Sequence, residues 1–182
     1  MMKFIVPLCA VLVLGGCNSG ASQMPYAKEY RAALQRLPGT PQDPASVAAR
    51  FLDTFSDMHD PALPDKVQAL YAPELYFNDT LATFRDRAAL IRYLSATADR
   101  VQVMDVEMLD AFAVGNDIYL RWFMHLEFKA GWRQAATDTV GITHLRLDAN
   151  GQVVVHQDFW DNAEGIFRQV PIVGRAVAME SS

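Results

Sequence analysis

The chain has 182 residues, with 21 acidic side chains against 16 basic ones and a formal net charge of −5 at pH 7. Its length suits a single domain, because a chain near 150 residues already buries about 70% of its unfolded surface on folding. The acidic balance and the lack of any Lys- or Arg-rich block argue against nucleic-acid binding, which depends on clustered positive charge.

The N-terminal residues have the layout of a cleavable secretory signal. Lys3 supplies a positive charge, and residues 4–14 form an apolar run that is too short to span a bilayer. Residues 14–17, Leu-Gly-Gly-Cys, resemble the lipobox of bacterial lipoproteins. That resemblance implies removal of the signal peptide, residues 1–16, and acylation of Cys17 by palmitate or a similar chain. The alternative is a plain secretory signal that is cut elsewhere.

The resemblance also implies a location and excludes thiol chemistry. Asn18 follows the cysteine, and similarity to Gram-negative lipoproteins then favours the periplasmic face of the outer membrane. Cys9 leaves with the signal peptide, so the mature domain has no thiol for a disulfide or a nucleophile. No second apolar run reaches the roughly 20 residues that a membrane-spanning helix needs, so lipid on Cys17 is the expected membrane contact.

Residues 17–42 are predicted to be a lipidated tether that contains one short helix. Residues 18–24 are small and polar, which is typical of a flexible linker. Residues 26–37 have the spacing of an amphipathic helix, and the Pro-Gly-Thr-Pro run at 38–41 ends it. The globular domain is therefore predicted to occupy residues 43–182.

Three helices are predicted at the start of this domain. Asp43 before a proline is typical of an N-cap. The apolar positions that follow it at helical spacing are Val47, Phe51, Leu52 and Phe55. A second short helix is predicted at 64–71. Asp86 caps a third, whose buried stripe contains Leu90, Ile91 and Leu94.

Four long strands follow the helices. Residues 101–114, 118–130, 133–148 and 152–160 are rich in β-branched and aromatic residues, and turn-forming residues separate them. A capping box at 161–164 opens a final short helix. This order predicts an α+β domain whose three N-terminal helices pack on one face of a curved antiparallel sheet. The apolar residues 170–179 are expected to close the mouth of the domain, join a dimer interface or lie along the membrane.

Two stretches carry a resemblance to a known superfamily. Residues 70–79, Leu-Tyr-Ala-Pro-Glu-Leu-Tyr-Phe-Asn-Asp, and 156–161, His-Gln-Asp-Phe-Trp-Asp, resemble the nuclear transport factor 2-like superfamily, over roughly residues 45–170. Its cone-shaped fold includes ketosteroid isomerases, limonene epoxide hydrolases and SnoaL-like polyketide cyclases. The fold hosts enzymes and non-enzymes alike, so the resemblance implies an architecture more firmly than a chemistry.

The chain resembles two enzyme groups of this superfamily at single catalytic positions, but it lacks the complete set of catalytic residues of either group. Against the ketosteroid isomerases, Asp79 falls on the catalytic base, but the oxyanion-hole donors fall on Phe51, which cannot donate, and on Thr143. Against the epoxide hydrolases, Asp158 falls on the last member of an Asp–Arg–Asp set. The other two members of that set fall on Trp122 and Met124. Neither activity is therefore predicted.

The register of the resemblance places an apolar pocket inside the cone, because side chains alternate along the strands. Its predicted lining residues are Phe51, Phe55, Phe77, Leu120, Trp122, Met124, Thr143 and Trp160. The candidate catalytic residues beside them are Asp79, Asp158 and His156. An apolar wall with a few polar groups is typical of a small-molecule site.

Each candidate residue also has a structural interpretation. Asp79 is either a general base with a raised pKa or a strand-end aspartate that accepts hydrogen bonds from backbone amides. Asp158 interrupts an apolar strand and needs a partner, either His156 or an arginine, in an acid–base couple or a structural ion pair. His125 and His144 are expected on the opposite face as polar outer positions. The histidines lack metal-ligand spacing, and no metal or cofactor is predicted.

Two functions are compatible with such a pocket. The first is an envelope-anchored module that binds a small apolar ligand or a protein partner. The alternative is a SnoaL-like acid–base enzyme, of isomerase, cyclase or hydrolase type, that uses Asp79 or Asp158 with His156. A third interpretation is a domain that serves only in protein assembly. A homodimer through the sheet face is expected from the resemblance.

Overall fold

A computed structural model describes residues 25–130 and 133–169. In chain order its elements are α1 (Tyr26–Arg36), α2 (Pro44–Phe55), α3 (Leu63–Leu70), β1 (Tyr71–Asn78), β2 (Thr83–Asp86), α4 (Arg87–Ala98), β3 (Val101–Val114), β4 (Asp117–Ala130), β5 (Arg133–Leu147), β6 (Val153–Trp160), α5 (Asn162–Gly165) and a 3-10 turn (Phe167–Gln169). The α+β class is confirmed. The four long strands β3 to β6 agree with their predicted ranges to within one residue at each end.

Side-chain caps begin three of the helices, as their sequences predict. The Asp43 carboxylate accepts a hydrogen bond from the Ser46 amide at 2.9 Å. Asp86 accepts one from the amide three residues later at 2.8 Å, and Asp161 does the same at 3.0 Å. These carboxylates satisfy amide groups that have no partner within the first helical turn, and they also complement the helix dipole.

The sheet has six strands in the order β2-β1-β6-β5-β4-β3. It is mixed, because β1 runs parallel to β6 while every other pair is antiparallel. The prediction of a wholly antiparallel sheet is therefore wrong at this one pair. The sequence prediction contains no range for β1 or β2, although one interpretation of Asp79 places it at the end of a strand, and β1 does end at Asn78. β1 contains Pro73, which is uncommon inside a strand, and its register with β6 shifts between Tyr71 and Tyr76. Its partner β6 lies far away in the sequence. The local sequence pattern therefore gives little indication that these residues form a strand.

Helices α2, α3 and α4 cover one face of this sheet, which we call the inner face. The buried core between them and the strands includes Phe51, Phe55, Leu90, Leu120 and Leu145. The apolar stripes read from the sequence therefore point inward. Burying such side chains stabilises the fold by about 1.5–3 kcal/mol each relative to leaving them exposed.

The opposite, outer face is covered at one end by α1. Ala33 is fully buried there against Tyr76 and Val155. The Arg146 guanidinium on β5 donates a hydrogen bond to the Leu34 carbonyl at 2.7 Å. The sequence indicates a tether for this helix, whereas these contacts make α1 part of the folded body.

A buried histidine forms the centre of this α1 contact. His144 lies on the outer face, as its parity predicts, yet it is only 1% exposed because α1 covers it. Its Nδ1 lies 2.8 Å from the Tyr30 hydroxyl, and its Nε2 lies 2.8 Å from the Asp117 carboxylate. The ring stacks on Tyr119 at a centroid distance of 4.9 Å. Burial lowers the pKa of His144, although Asp117 opposes that shift.

Two further expectations concern the surface and the ends of the chain. His125 points outward, where its Nδ1 lies 2.7 Å from the Asp138 carboxylate. Within the described ranges, no helix is long and apolar enough to cross a bilayer. Cys17 and the apolar residues 170–179 lie outside the described residues, so their expected roles stay predictions.

The lowered pKa of His144 makes stability depend on pH in a defined direction. The folded pKa lies below the ordinary value of 6.5, so the unfolded state binds more protons between the two values. We expect the free energy of unfolding to fall as pH drops below about 6.5, and to fall less steeply in His144→Gln. Urea unfolding from pH 8 to pH 5 measures both slopes.

The matched control for this experiment is His125→Gln. Hydrogen bonds that the His125 ring donates to the Asp138 and Glu127 carboxylates raise the pKa of His125, so its contribution to stability is lost as pH rises rather than as pH falls. Superimposable pH profiles for the wild type and His144→Gln would contradict the role assigned to the buried ring.

Candidate functional site

His156 stands at the centre of the inner face, on β6. It is 2% exposed and is enclosed by three aromatic rings. The ring centroids of Phe77, Tyr71 and Phe51 lie 4.4, 5.9 and 6.0 Å from that of the imidazole. The Tyr71 hydroxyl lies 2.8 Å from Nδ1, which gives this buried ring nitrogen its polar partner.

The proton positions in this pair follow from the surroundings. Burial raises the pKa of Tyr71 well above its ordinary value, and the negative charges of Asp158 and Asp79 add to the shift. Tyr71 therefore keeps its proton and donates a hydrogen bond to Nδ1 of His156. Because Nδ1 accepts this hydrogen bond, the ring N–H is assigned to Nε2. Nε2 lies 2.9 Å from Oδ1 of Asp158, to which it donates.

Asp158 receives a second hydrogen bond on the same oxygen. The Thr143 hydroxyl on β5 donates to Oδ1 at 2.5 Å, and it accepts a hydrogen bond from the Trp122 indole N–H at 2.9 Å. No described residue donates a hydrogen bond to the other oxygen, Oδ2. The Asp158 side chain is 15% exposed. One oxygen is thus held by two donors while the other stays available.

Asp79 has a different environment. Its Oδ1 accepts hydrogen bonds from the backbone amides of Leu81 and Ala82 at 2.9 and 2.8 Å, and its Oδ2 accepts one from the Tyr93 hydroxyl at 2.6 Å. Burial raises the pKa of Asp79, and the negative charge of Asp158 adds to that shift. The turn contacts match the structural interpretation of Asp79, and both of its oxygens are engaged.

The predicted lining residues lie together on the inner face, in or against the main core cluster. Six of them are buried, namely Phe51, Phe55, Phe77, Leu120, Trp122 and Thr143. Met124 and Trp160 are partly buried and pack against that cluster. The Trp160 indole N–H donates to the Asp79 carbonyl at 2.9 Å, which ties the end of β6 to the end of β1.

A cleft of about 330 Å³ lies beside Asp158 at this end of the sheet. Its lining residues are Tyr26, Asn78, Thr80, Asp158, Phe159, Trp160 and Asn162. Thr80 has a φ of 75°, a conformation that a β-branched residue rarely adopts. Most of this lining was not predicted, because it joins α1, the β1–β2 turn and α5, which are far apart in sequence.

Two tyrosines of the inner face were also missed. Tyr71 was predicted as the last residue of a helix, and it instead begins β1. Tyr93 lies on α4 three residues after the buried Leu90, at the spacing of the apolar stripe, and that position was the signal that could have identified it. Among the described residues, no group of three or more His, Cys, Asp or Glu side chains has the geometry of a metal site.

Comparison with known protein families identifies one that this chain matches. The sequence profile of the SnoaL-like domain matches residues 48–156, which is more than half of the chain. No curated protein matches the chain.

Several solved structures share the architecture. A putative SnoaL-like polyketide cyclase from Shewanella denitrificans OS-217 has a TM-score of 0.58 at 14% identity, over 76% of this chain and 97% of that chain. One from Jannaschia sp. CCS1 has a TM-score of 0.58 at 14% identity, over 74% and 99%. An NTF2-like protein of unknown function from Exiguobacterium sp. 255-15 has a TM-score of 0.55 at 18% identity, over 64% and 98%. Identities this low establish the fold alone, and they confirm the predicted nuclear transport factor 2-like architecture.

A glycine makes the Trp122 contact to Thr143 sterically feasible. Gly141 pairs with Trp122 across β4 and β5, and a Cβ there would lie 2.4 Å from two carbons of the indole. We expect Gly141→Ala to displace the ring, break its hydrogen bond to Thr143 and destabilise the fold by about 1–3 kcal/mol. Chemical denaturation measures the loss, and the indole N–H resonance of Trp122 reports the hydrogen bond. An unchanged resonance would contradict this account.

Proposed function

This chain belongs to the SnoaL-like domain family, and on that premise we propose that it binds a small molecule at Asp158 and transfers a proton with that carboxylate. The single observation that carries the proposal is the unequal environment of the two Asp158 oxygens. Oδ1 is held by His156 and Thr143, whereas no described residue bonds to Oδ2. A carboxylate fixed in orientation, with one oxygen available, has the geometry of a general base.

The proposed step moves one proton. Oδ2 accepts it from an acidic C–H of the bound molecule, and the electron pair of that bond stays on the substrate. The neutral acid then returns the proton to the same molecule, at the same or another atom. His156 and Thr143 act as positioning residues in this step, since they fix the carboxylate without contacting the substrate. Tyr71 keeps the imidazole in the tautomer that donates to Asp158.

A second network on the outer face supports the choice of Asp158. There Tyr30, His144 and Asp117 repeat the tyrosine–histidine–aspartate order. Arg146 also pairs with Asp117. Burial acts to raise the pKa of Asp117, but the hydrogen bonds that it accepts from Arg146 and His144 lower this pKa overall. Asp158 has no arginine or lysine partner among the described residues. Its charge is therefore left for a substrate or a proton.

The names of similar structures also support a reaction that begins with proton transfer. Two of the similar structures are named putative SnoaL-like polyketide cyclases. Cyclisation and isomerisation both begin with removal of a proton next to a carbonyl or a conjugated system, which one positioned carboxylate can perform. Asp79 is the weaker candidate base, because both of its oxygens accept hydrogen bonds. Ligand binding without turnover is the competing function, and it predicts that loss of the Asp158 charge changes affinity alone.

A generic base reaction tests the carboxylate without knowledge of the substrate. Ring opening of 5-nitrobenzisoxazole needs only a base in an apolar site, and its phenolate product absorbs visible light. We expect Asp158→Asn to lower the rate by about 100-fold or more, in the range typical of general base catalysis. The mutant should keep its circular dichroism spectrum, because an amide oxygen still accepts hydrogen bonds from Thr143 and His156.

The matched control is Asp138→Asn. This aspartate also pairs with a histidine, His125, but on the solvent-exposed outer face. We expect its rate to equal that of the wild type. An Asp158→Asn rate equal to that of the control would remove Asp158 as the base.

We also propose that the domain is held at the cell envelope by lipid on Cys17. The lipobox-like residues 14–17 and the small polar linker after them support this proposal. A homodimer through the outer face is proposed on the basis of exposed apolar side chains on that face. They include Phe112, Val140 and Ile142.

Fractionation of a Gram-negative host tests the anchor. We expect Cys17→Ser to lose palmitate labelling and to leave the membrane fraction, because serine has no thiol to acylate. Cys9→Ser is the matched control, since that cysteine lies within the predicted signal peptide, and it should stay in the membrane fraction. Membrane retention of Cys17→Ser would contradict lipid anchoring at this residue.

A further inference from the structure

We propose that the solvent-facing side of α1 docks on an anionic lipid surface, so that the folded domain contacts the membrane through this helix as well as through its lipid. The inference deepens the proposed anchor at Cys17, and it rests on that anchor for the closeness of α1 to the membrane. It is drawn from the way in which α1 divides its side chains between the sheet and the solvent.

One side of α1 is apolar and buried, and the opposite side is polar and exposed. Tyr30, Ala33 and Leu34 pack against Tyr76 and Val155 of the sheet. The residues that point away from the sheet recur at helical spacing and are all exposed. We call them the basic stripe, and its members are Lys28, Arg31, Ala32 and Gln35.

The charges of α1 are separated between the two sides. The one acidic residue of the helix, Glu29, has a side chain that is only 2% exposed and lies 2.8 Å from Arg85. Arg36 flanks the basic stripe, 3.7 Å from the exposed Glu74. No ion pair joins Lys28 or Arg31 to another described residue. The outward side of the helix therefore presents positive charge that the neighbouring described side chains leave unbalanced.

This local charge is opposite in sign to that of the whole chain. The chain has 21 acidic and 16 basic side chains, whereas α1 has three basic ones and a single acid. An anionic phospholipid surface repels a net negative protein and attracts basic side chains that lie close to it. Charge complementarity therefore favours the orientation in which the basic stripe faces the lipid.

The covalent chain keeps this helix close to the proposed anchor. Eight residues, 18–25, separate Cys17 from Tyr26, and even a fully extended chain of that length spans at most about 30 Å. Such a tether raises the effective concentration of the basic stripe at the membrane, so a contact that is weak by itself becomes populated. Tyr26, at the end of α1 nearest to Cys17, is 56% exposed, and tyrosine is enriched at membrane–water interfaces.

Vesicle binding without the lipid anchor tests the docking surface alone. The protein is the mature chain, residues 17–182, with Cys17→Ser. The probes are vesicles of phosphatidylcholine with about 30% phosphatidylglycerol and vesicles of phosphatidylcholine alone, and co-sedimentation measures both partition coefficients. At low ionic strength we expect at least about tenfold stronger binding to the anionic vesicles, and we expect added salt to weaken it by screening.

A double variant locates the contact on the helix. In Lys28→Gln/Arg31→Gln we expect the partition coefficient for anionic vesicles to fall at least about tenfold, because each basic side chain near an anionic surface contributes roughly fivefold. Glutamine is a good helix former, so the circular dichroism spectrum should not change.

The matched control is Lys129→Gln/Arg133→Gln, which removes the same charge from two other exposed residues. Lys129 lies ten residues along β4 from Tyr119, about 30 Å from the end of the strand near α1. We expect its partition coefficient to stay within about twofold of the parent value.

The outcomes separate this inference from the proposed anchor. Equal binding to the two kinds of vesicle, no binding to the anionic ones, or equal losses in the two double variants would each overturn docking through the basic stripe. The lipid anchor would still stand in those cases if Cys17→Ser leaves the membrane fraction of the host. Conversely, vesicle binding that depends on Lys28 and Arg31, with Cys17→Ser retained in the membrane fraction after a salt wash, supports the docking surface and removes the anchor.

Discussion

A carboxylate packed among apolar side chains needs hydrogen-bond donors, and Asp158 imposes this requirement on the inner face. Its hydrogen bonds come from His156 and Thr143, and each donor is oriented by a further residue, Tyr71 or Trp122. The chain of contacts crosses β1, β6, β5 and β4. The packing of these four strands therefore fixes the orientation of the Asp158 carboxylate.

Each face of the sheet holds a tyrosine–histidine–aspartate network, and the aspartate has different further partners on the two faces. On the outer face, the network around His144 ends in an Asp117–Arg146 ion pair, which also reaches α1 through the Leu34 carbonyl. Its charges are balanced, and it holds a helix in place. On the inner face, no described lysine or arginine balances Asp158. The same order of residue types therefore attaches a helix on one face, and on the other it leaves one carboxylate oxygen without a donor among the described residues.

The position of α1 connects this architecture to the proposed anchor. The helix follows the predicted lipid-bearing segment, packs on the outer face and contributes Tyr26 to the cleft beside Asp158. If Cys17 is lipidated, the segment between the lipid and the cleft is short. The proposed ligand would then be a molecule that reaches the periplasmic surface of a membrane.

The sequence by itself determined the class of the fold, the helix caps at Asp43, Asp86 and Asp161, the four long strands and the side of the sheet on which Trp122, His156 and Asp158 lie. These features depend on local patterns, since caps, turns and alternating side chains act over a few residues. Only the tertiary structure decided that β1 pairs in parallel with β6, that α1 buries His144, and that Tyr71 donates to His156. It also decided which oxygen of Asp158 stays available and that a cleft forms between α1 and α5. Those features depend on contacts between residues far apart in the chain, and the energy of such contacts is set by burial and by the pairing of charges in three dimensions, which local sequence pattern does not encode.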